Sequence, residues 1–143
     1  MQRPMKPPEV LYCIEHVARE LDTACAVRAI ARRKHGTDTH VHVLASQLDS
    51  VFERHAPRLI VVPYCTSRKA SPWQVFERWP GVPILNVACE QLFSQGNRRF
   101  RLPKDDFARQ GVLHVAAGKF FRNWLLESGV PGHNILSAGS MAY

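Results

Sequence analysis

No run of apolar residues approaches the roughly twenty that a membrane-spanning helix needs. The first eight residues hold cations and prolines but no apolar stretch, so they read as a disordered tail rather than a secretory signal. None of the four cysteines belongs to a C-x-x-C pair, which removes a zinc ribbon and a thioredoxin-like redox motif. Glycine is missing from Glu15-His16-Val17-Ala18, the turn after the first apolar run. A dinucleotide needs glycine there so that the backbone can approach pyrophosphate, and an NAD or FAD site is therefore excluded. Gly118-Lys119 is followed by Phe120 and has no upstream glycine, so it is not a phosphate-binding P-loop.

What is present is a basic chain of 143 residues with formal charge +7, enough for one domain with a substantial core. The charge favours acidic partners. It lies in separate clusters, Arg32-Arg33-Lys34, Arg68-Lys69 and Arg98 to Lys104, with no recognition helix, zinc finger or aromatic platform beside them. We therefore expect no nucleic-acid partner. Cys13, Cys65 and Cys89 lie in or at the ends of apolar stretches, where a thiol behaves as a small hydrophobe. That points to a reducing compartment and a cytoplasmic protein. His40 and His42 share a strand face but have no evident third ligand, so no metal site is expected.

Short apolar runs alternate with helical periodicity. Val10 to Ile14, His40 to Ala45, Leu59 to Val62, Val82 to Ala88, Gly111 to Ala116 and Ile135 to Ala138 read as strands. Arg19 to Lys34, Gln47 to His55, a segment opened by Ser71-Pro72, and Lys119 to Ser128 read as helices. Gly36 and Gly129 supply two of the stops. Phe93 to Asp106 reads as a long basic loop. This alternation implies an α/β class: a Rossmann-like three-layer domain over residues 9–143, its five- or six-stranded sheet mostly parallel with helices on both faces. The expected strand order is 3-2-1-4-5, with the sixth strand at the edge.

In such sheets ligands bind beyond the carboxyl ends of the strands, where the strand order reverses. That rim collects Glu15, His16, Arg19, Glu20 and Asp22 after the first strand and Tyr64, Cys65, Thr66, Ser67, Arg68 and Lys69 after the third. Asn86, Glu90 and Gln91 follow from the fourth strand, and His114, Gly118 and Lys119 from the fifth. Glu90 directly follows an apolar strand, where partial desolvation suits a general acid or base; a surface carboxylate explains it equally well. His16 stands in a turn and can reach substrate. His114 is inside a strand, a setting more often filled by a hydrogen-bonded core histidine than by a catalyst. Arg19 is placed to bind an anionic group with Glu20 or Asp22 orienting it, although acidic residues in a first helical turn also stabilise the helix dipole. Cys65 paired with His16 or His114 is a weaker nucleophile reading than inert burial.

Three segments carry a family resemblance. Arg19-Glu20-Leu21-Asp22 before an Ala-rich helix, Asn86 to Gln91 with its Glu-Gln end, and His114 with Gly118 ahead of a helix and a last strand occur in this order. Together they resemble the N-terminal half of bacterial surface-carbohydrate (capsule or lipopolysaccharide) biosynthesis proteins, which are similar to two-domain GT-B glycosyltransferases. Cys89 departs from the aromatic residue expected before Glu-Gln, and Ala138 to Met141 matches the expected glycine turn loosely.

The resemblance implies an acceptor-side domain that contacts a carbohydrate acceptor, acidic acceptors included. It also implies a nucleotide-sugar donor held on a C-terminal domain beyond Tyr143, no cofactor in this domain, and no transfer by this domain alone. In that setting Glu90, His114 or His16 would serve as base. Arg19, Glu20, Asp22, Arg68, Asn86, Gln91, Gly118 and Lys119 would line the binding site. Three alternatives stay open: a stand-alone, non-catalytic Rossmann-like binding or regulatory module, half of a sugar-nucleotide epimerase, and half of a glycerol-phosphate polymerase. Peripheral association with the inner face of the membrane also stays open.

Overall fold

A computed structural model of the chain describes residues 9–44, 56–69, 80–89, 96 and 100–139. The expected tail, the helices at Gln47 to His55 and after Ser71, and the residues Glu90 and Gln91 lie outside the described residues.

The strands are β1 (Glu9–Ile14), β2 (Asp38–Val43), β3 (Leu59–Val62), β4 (Ile84–Asn86), β5 (Val112–Ala116) and β6 (Ile135–Ser137). The α-helices with described bounds are α1 (Val17–His35), α2 (Asp106–Gln110) and α3 (Lys119–Glu127). All five strand pairings are parallel, in one six-stranded sheet of order β2-β1-β3-β4-β5-β6. The parallel α/β class is as the sequence implies, and β6 does occupy an edge.

The strand order corrects the expected 3-2-1-4-5. β3 does not lie outside β2; it pairs with β1, Val10 opposite Leu59 and Tyr12 opposite Val61, and with β4 on its other side. The reason is solvation. β2 carries exposed Asp38 and His40 around buried Thr39, a pattern suited to an edge. In β3 the residues Ile60, Val61 and Val62 are all buried, which requires cover on both faces and suits the interior of the sheet.

One face of the sheet buries Leu11, Cys13, Ile60, Val62 and Ile84, with Phe107 of α2 packed on them. The other buries Tyr12, Ile14 and Val61 with Ala24 of α1 and half-buried Leu21 and Val27. α1 thus covers the face opposite α2, giving the three layers. α3 docks Phe121 and Leu125 against Ala116, Val130 and Ile135, while Phe120 points outward. Burying two such side chains contributes about 1.5–3 kcal/mol each.

α1 begins two residues before the expected Arg19. At its end, Gly36 adopts φ +62° and its N–H donates to Arg32 O, the left-handed stop that a Cβ would oppose. α2 has no counterpart in the sequence expectation, which ended the basic loop at Asp106 and assigned nothing to residues 107–110. Asp105 caps it, Oδ1 accepting from Ala108 N at 2.9 Å, and Gly111 follows it. Five residues are too few to display a helical period, although that cap and stop are present in the sequence. No described helix is long and apolar enough to cross a membrane.

Candidate binding site at the β1/β3 switch point

The chain winds one way from β1 to β2 and the other way from β3 onward, so the order reverses between β1 and β3. Beyond the carboxyl ends of these two strands lies a small pocket. Glu15, Arg19 and Glu20 reach it from the β1–α1 junction, Pro63 and Tyr64 from the end of β3, Cys89 from beyond β4, and Arg101 from the segment preceding α2. Its cavity volume is about 10 Å³, room for about one water. That is far below the ~300–1,000 Å³ typical of ligand pockets, so among the described residues it is a polar notch on the rim that can contact a ligand but does not enclose one.

Local structure explains why these side chains meet. His16, the residue before α1, makes no side-chain cap, and its ring is about half exposed with Nε2 3.5 Å from Glu15 Oε2. The buried Glu20 reaches back one turn instead, and its Oε2 accepts from the Glu15 backbone N–H at 2.9 Å. That bond engages the N–H of the residue before the N-cap and places the negative group at the favourable end of the dipole. The other oxygen of Glu20 lies 3.7 Å from Arg19 Nη2, so Glu20 rather than Asp22 orients this arginine. Asp22 is exposed and does not line the pocket.

Glu15 is held from the far side by Tyr64, whose hydroxyl donates to Oε1 at 2.9 Å. Burial first, then the bond to Glu15, push the Tyr64 phenol up to about 12, while Arg101 opposes the rise. The phenol is therefore a donor at neutral pH. Two carboxylates, two guanidiniums and a phenol surround one space. Sugar hydroxyls donate and accept hydrogen bonds, and this rim offers both complements.

The other expected site residues lie elsewhere. Arg68 is exposed; its backbone N–H donates to Asp105 Oδ2 at 2.7 Å and its guanidinium lies over the Phe107 ring at 5.8 Å. It ties the loop after β3 to the start of α2. Gly118 and Lys119 are exposed at the start of α3 and do not line the pocket.

His114 is fully buried, with Nε2 2.7 Å from Ala108 O and Nδ1 3.1 Å from Asn86 Nδ2. Burial pushes its pKa below the usual histidine value, partly offset by the Ala108 carbonyl. His114 and Asn86 thus sit beneath the rim, in the core between the sheet and α2. Cys65 is buried and its thiol is pushed up to about 12 by desolvation, which leaves no thiolate for nucleophilic attack near neutral pH. His40 and His42 stack at 6.3 Å between ring centroids, and the described residues contain no group of three candidate metal ligands.

Of the pocket residues, Glu15 and Tyr64 were expected at the rim by position but without a role, Arg101 only as part of the basic loop, and Cys89 and Pro63 not as site residues. Position alone placed Glu15 and Tyr64 at the rim, since each follows the end of an apolar strand, but not their contact with each other. The expected strand order separated those two ends. No family model, curated protein or solved structure matches this chain.

Proposed function

We propose that this domain binds a carbohydrate acceptor at the β1/β3 pocket, as the acceptor-side half of a GT-B-like glycosyltransferase in bacterial surface-polysaccharide synthesis. The observation that carries the binding part is the convergence of Glu15, Arg19, Glu20, Tyr64 and Arg101 on one small space at the reversal of strand order. Their mixed donors and acceptors suit vicinal hydroxyls, and the two guanidiniums add affinity for a uronate carboxylate. The transferase part rests on the resemblance of the Arg19–Asp22, Asn86–Gln91 and His114–Gly118 segments. Transfer requires a base for the acceptor hydroxyl, for which Glu90 and His16 are the candidates. The nucleotide-sugar donor belongs to a second domain, and this domain alone does not transfer sugar.

A non-catalytic binding module is the second reading. It is favoured by the engagement of both carboxylates in holding structure: Glu15 accepts from Tyr64, and Glu20 from the Glu15 backbone.

Saturation-transfer NMR on this chain with a glucuronic-acid-containing tetrasaccharide, and separately with UDP, tests the assignment. Transfer to the sugar protons that disappears in Arg101→Ala is the expected result. Tight binding of UDP by this domain alone, or no effect of Arg101→Ala, would remove the acceptor-side role. Glycosyl transfer by a full-length protein, lost in Glu90→Gln, would separate the enzyme from the binding module.

A further inference from the structure

We propose that His114 and Asn86 form a buried relay that fixes the backbone of Ala88 and thereby sets where Cys89 stands at the pocket. The proposal rests on the pocket reading above. Both are positioning residues, since neither lines the pocket.

Ala88 has φ +47°, the one positive value at a non-glycine residue among the described residues. A side chain there crowds the backbone, and such a conformation persists only when its surroundings hold it. Asn86 does the holding: its Oδ1 accepts from Ala88 N at 3.0 Å, closing a turn two residues ahead. An amide can present either end, and His114 selects which one. Asn86 Nδ2 donates to His114 Nδ1 at 3.1 Å, leaving Oδ1 toward Ala88. Nδ1 can accept only when the ring proton is on Nε2, and Nε2 lies 2.7 Å from Ala108 O in α2. The flipped amide would set donor against donor at Ala88 and would demand a proton on Nδ1, leaving Nε2 facing a carbonyl without one. The α2 carbonyl thus sets the tautomer, the tautomer sets the amide, and the amide sets the turn.

The turn has a destination. Val87 N donates to Val62 O at 2.9 Å and Cys89 N to Pro63 O at 3.0 Å. These bonds lay the segment after β4 along the end of β3, where Pro63 and Tyr64 form the pocket wall. Asn86 and His114 are directly opposed in the β4–β5 register, so the pairing of the strands itself aligns the relay.

Two readouts that need no ligand test this on the full chain. Nitrogen-15 NMR should find His114 as the Nε2–H tautomer at pH 7; an Nδ1–H tautomer overturns the relay. Asn86→Ala should speed hydrogen exchange at the Cys89 amide by about tenfold and weaken saturation transfer to the tetrasaccharide. Adding Ala88→Gly, which adopts a positive φ without strain, should restore both. Absence of that rescue would make Asn86 a general core residue and overturn the proposal. If Asn86→Ala does not fold, Ala88→Val in the native background should speed the same amide, because a branched Cβ opposes φ +47°. Unchanged exchange there overturns the proposal as well. A tetrasaccharide that never binds the native chain would overturn the pocket reading, while the tautomer and exchange results would still support the relay.

Discussion

Replacing His114 by leucine should cost about 2–6 kcal/mol at pH 7.5 and distinctly less at pH 5.5. Leucine fills much of the volume of the imidazole and is well suited to a fully buried site, so little is lost in packing. The cost lies in two orphaned partners, the Ala108 carbonyl and the Asn86 amide, each about 1–3 kcal/mol when left unpaired in a core. Against a total stability of about 5–15 kcal/mol the variant should still fold. With a urea dependence of about 2 kcal/mol per molar, the unfolding midpoint should fall by roughly 1–3 M.

The pH term has a definite sign. Desolvation holds the native His114 pKa below its ordinary value of 6.5. Above 6.5 the ring is neutral in both folded and unfolded chains, and its contribution is complete. As pH falls below 6.5 toward the native pKa, the unfolded chain takes up a proton that the native chain refuses, and stability is lost. The leucine variant lacks this group, so the gap between the two urea curves narrows on acidification. Equal midpoints at pH 7.5, or a gap that does not change between pH 7.5 and 5.5, would refute the buried, doubly bonded neutral imidazole.

Asp105→Ala removes the α2 cap and the tether to Arg68 N together and should cost about 1–2 kcal/mol by thermal denaturation. Asp105→Asn should recover part of that loss, because its one amide oxygen can serve only one of the two N–H groups. Tyr64→Phe removes the bond to Glu15 at 2.9 Å and should cost about 1 kcal/mol at pH 7, given the half-exposed setting. Because the folded Tyr64 pKa is raised from 10.0 to about 12, its contribution is complete below pH 10 and lost between pH 10 and 12. The native chain should therefore lose more stability than Tyr64→Phe across that window. A Tyr64 phenol that ionises near pH 10 in a spectrophotometric titration would contradict the Glu15 contact.

Much of the architecture was legible because it is local. The apolar runs at Val10 to Ile14 and Leu59 to Val62, the Arg-Arg-Lys end of α1 and the glycines at 36 and 129 each act on the nearest few residues. Glu20 was recognisable as a helix-start carboxylate, and Arg19 as its neighbour at the rim. Tyr64 lay in view at the end of β3, but its partnership with Glu15, 49 residues away, depends on which strand stands beside β1. The contrast between the alternating, polar β2 and the wholly apolar β3 held that information.

By itself the amino-acid order determined an alternating α/β chain with a parallel sheet, because side-chain periodicity and backbone stops operate within a turn or two. The tertiary structure decided that β3 adjoins β1, which built the pocket from Glu15, Tyr64 and Arg101. It also decided that His114 faces the Ala108 carbonyl in the core instead of a ligand at the rim. A histidine in a strand has the same local pattern in either role; what packs over it determines whether its nitrogens meet solvent or protein, and here α2 does.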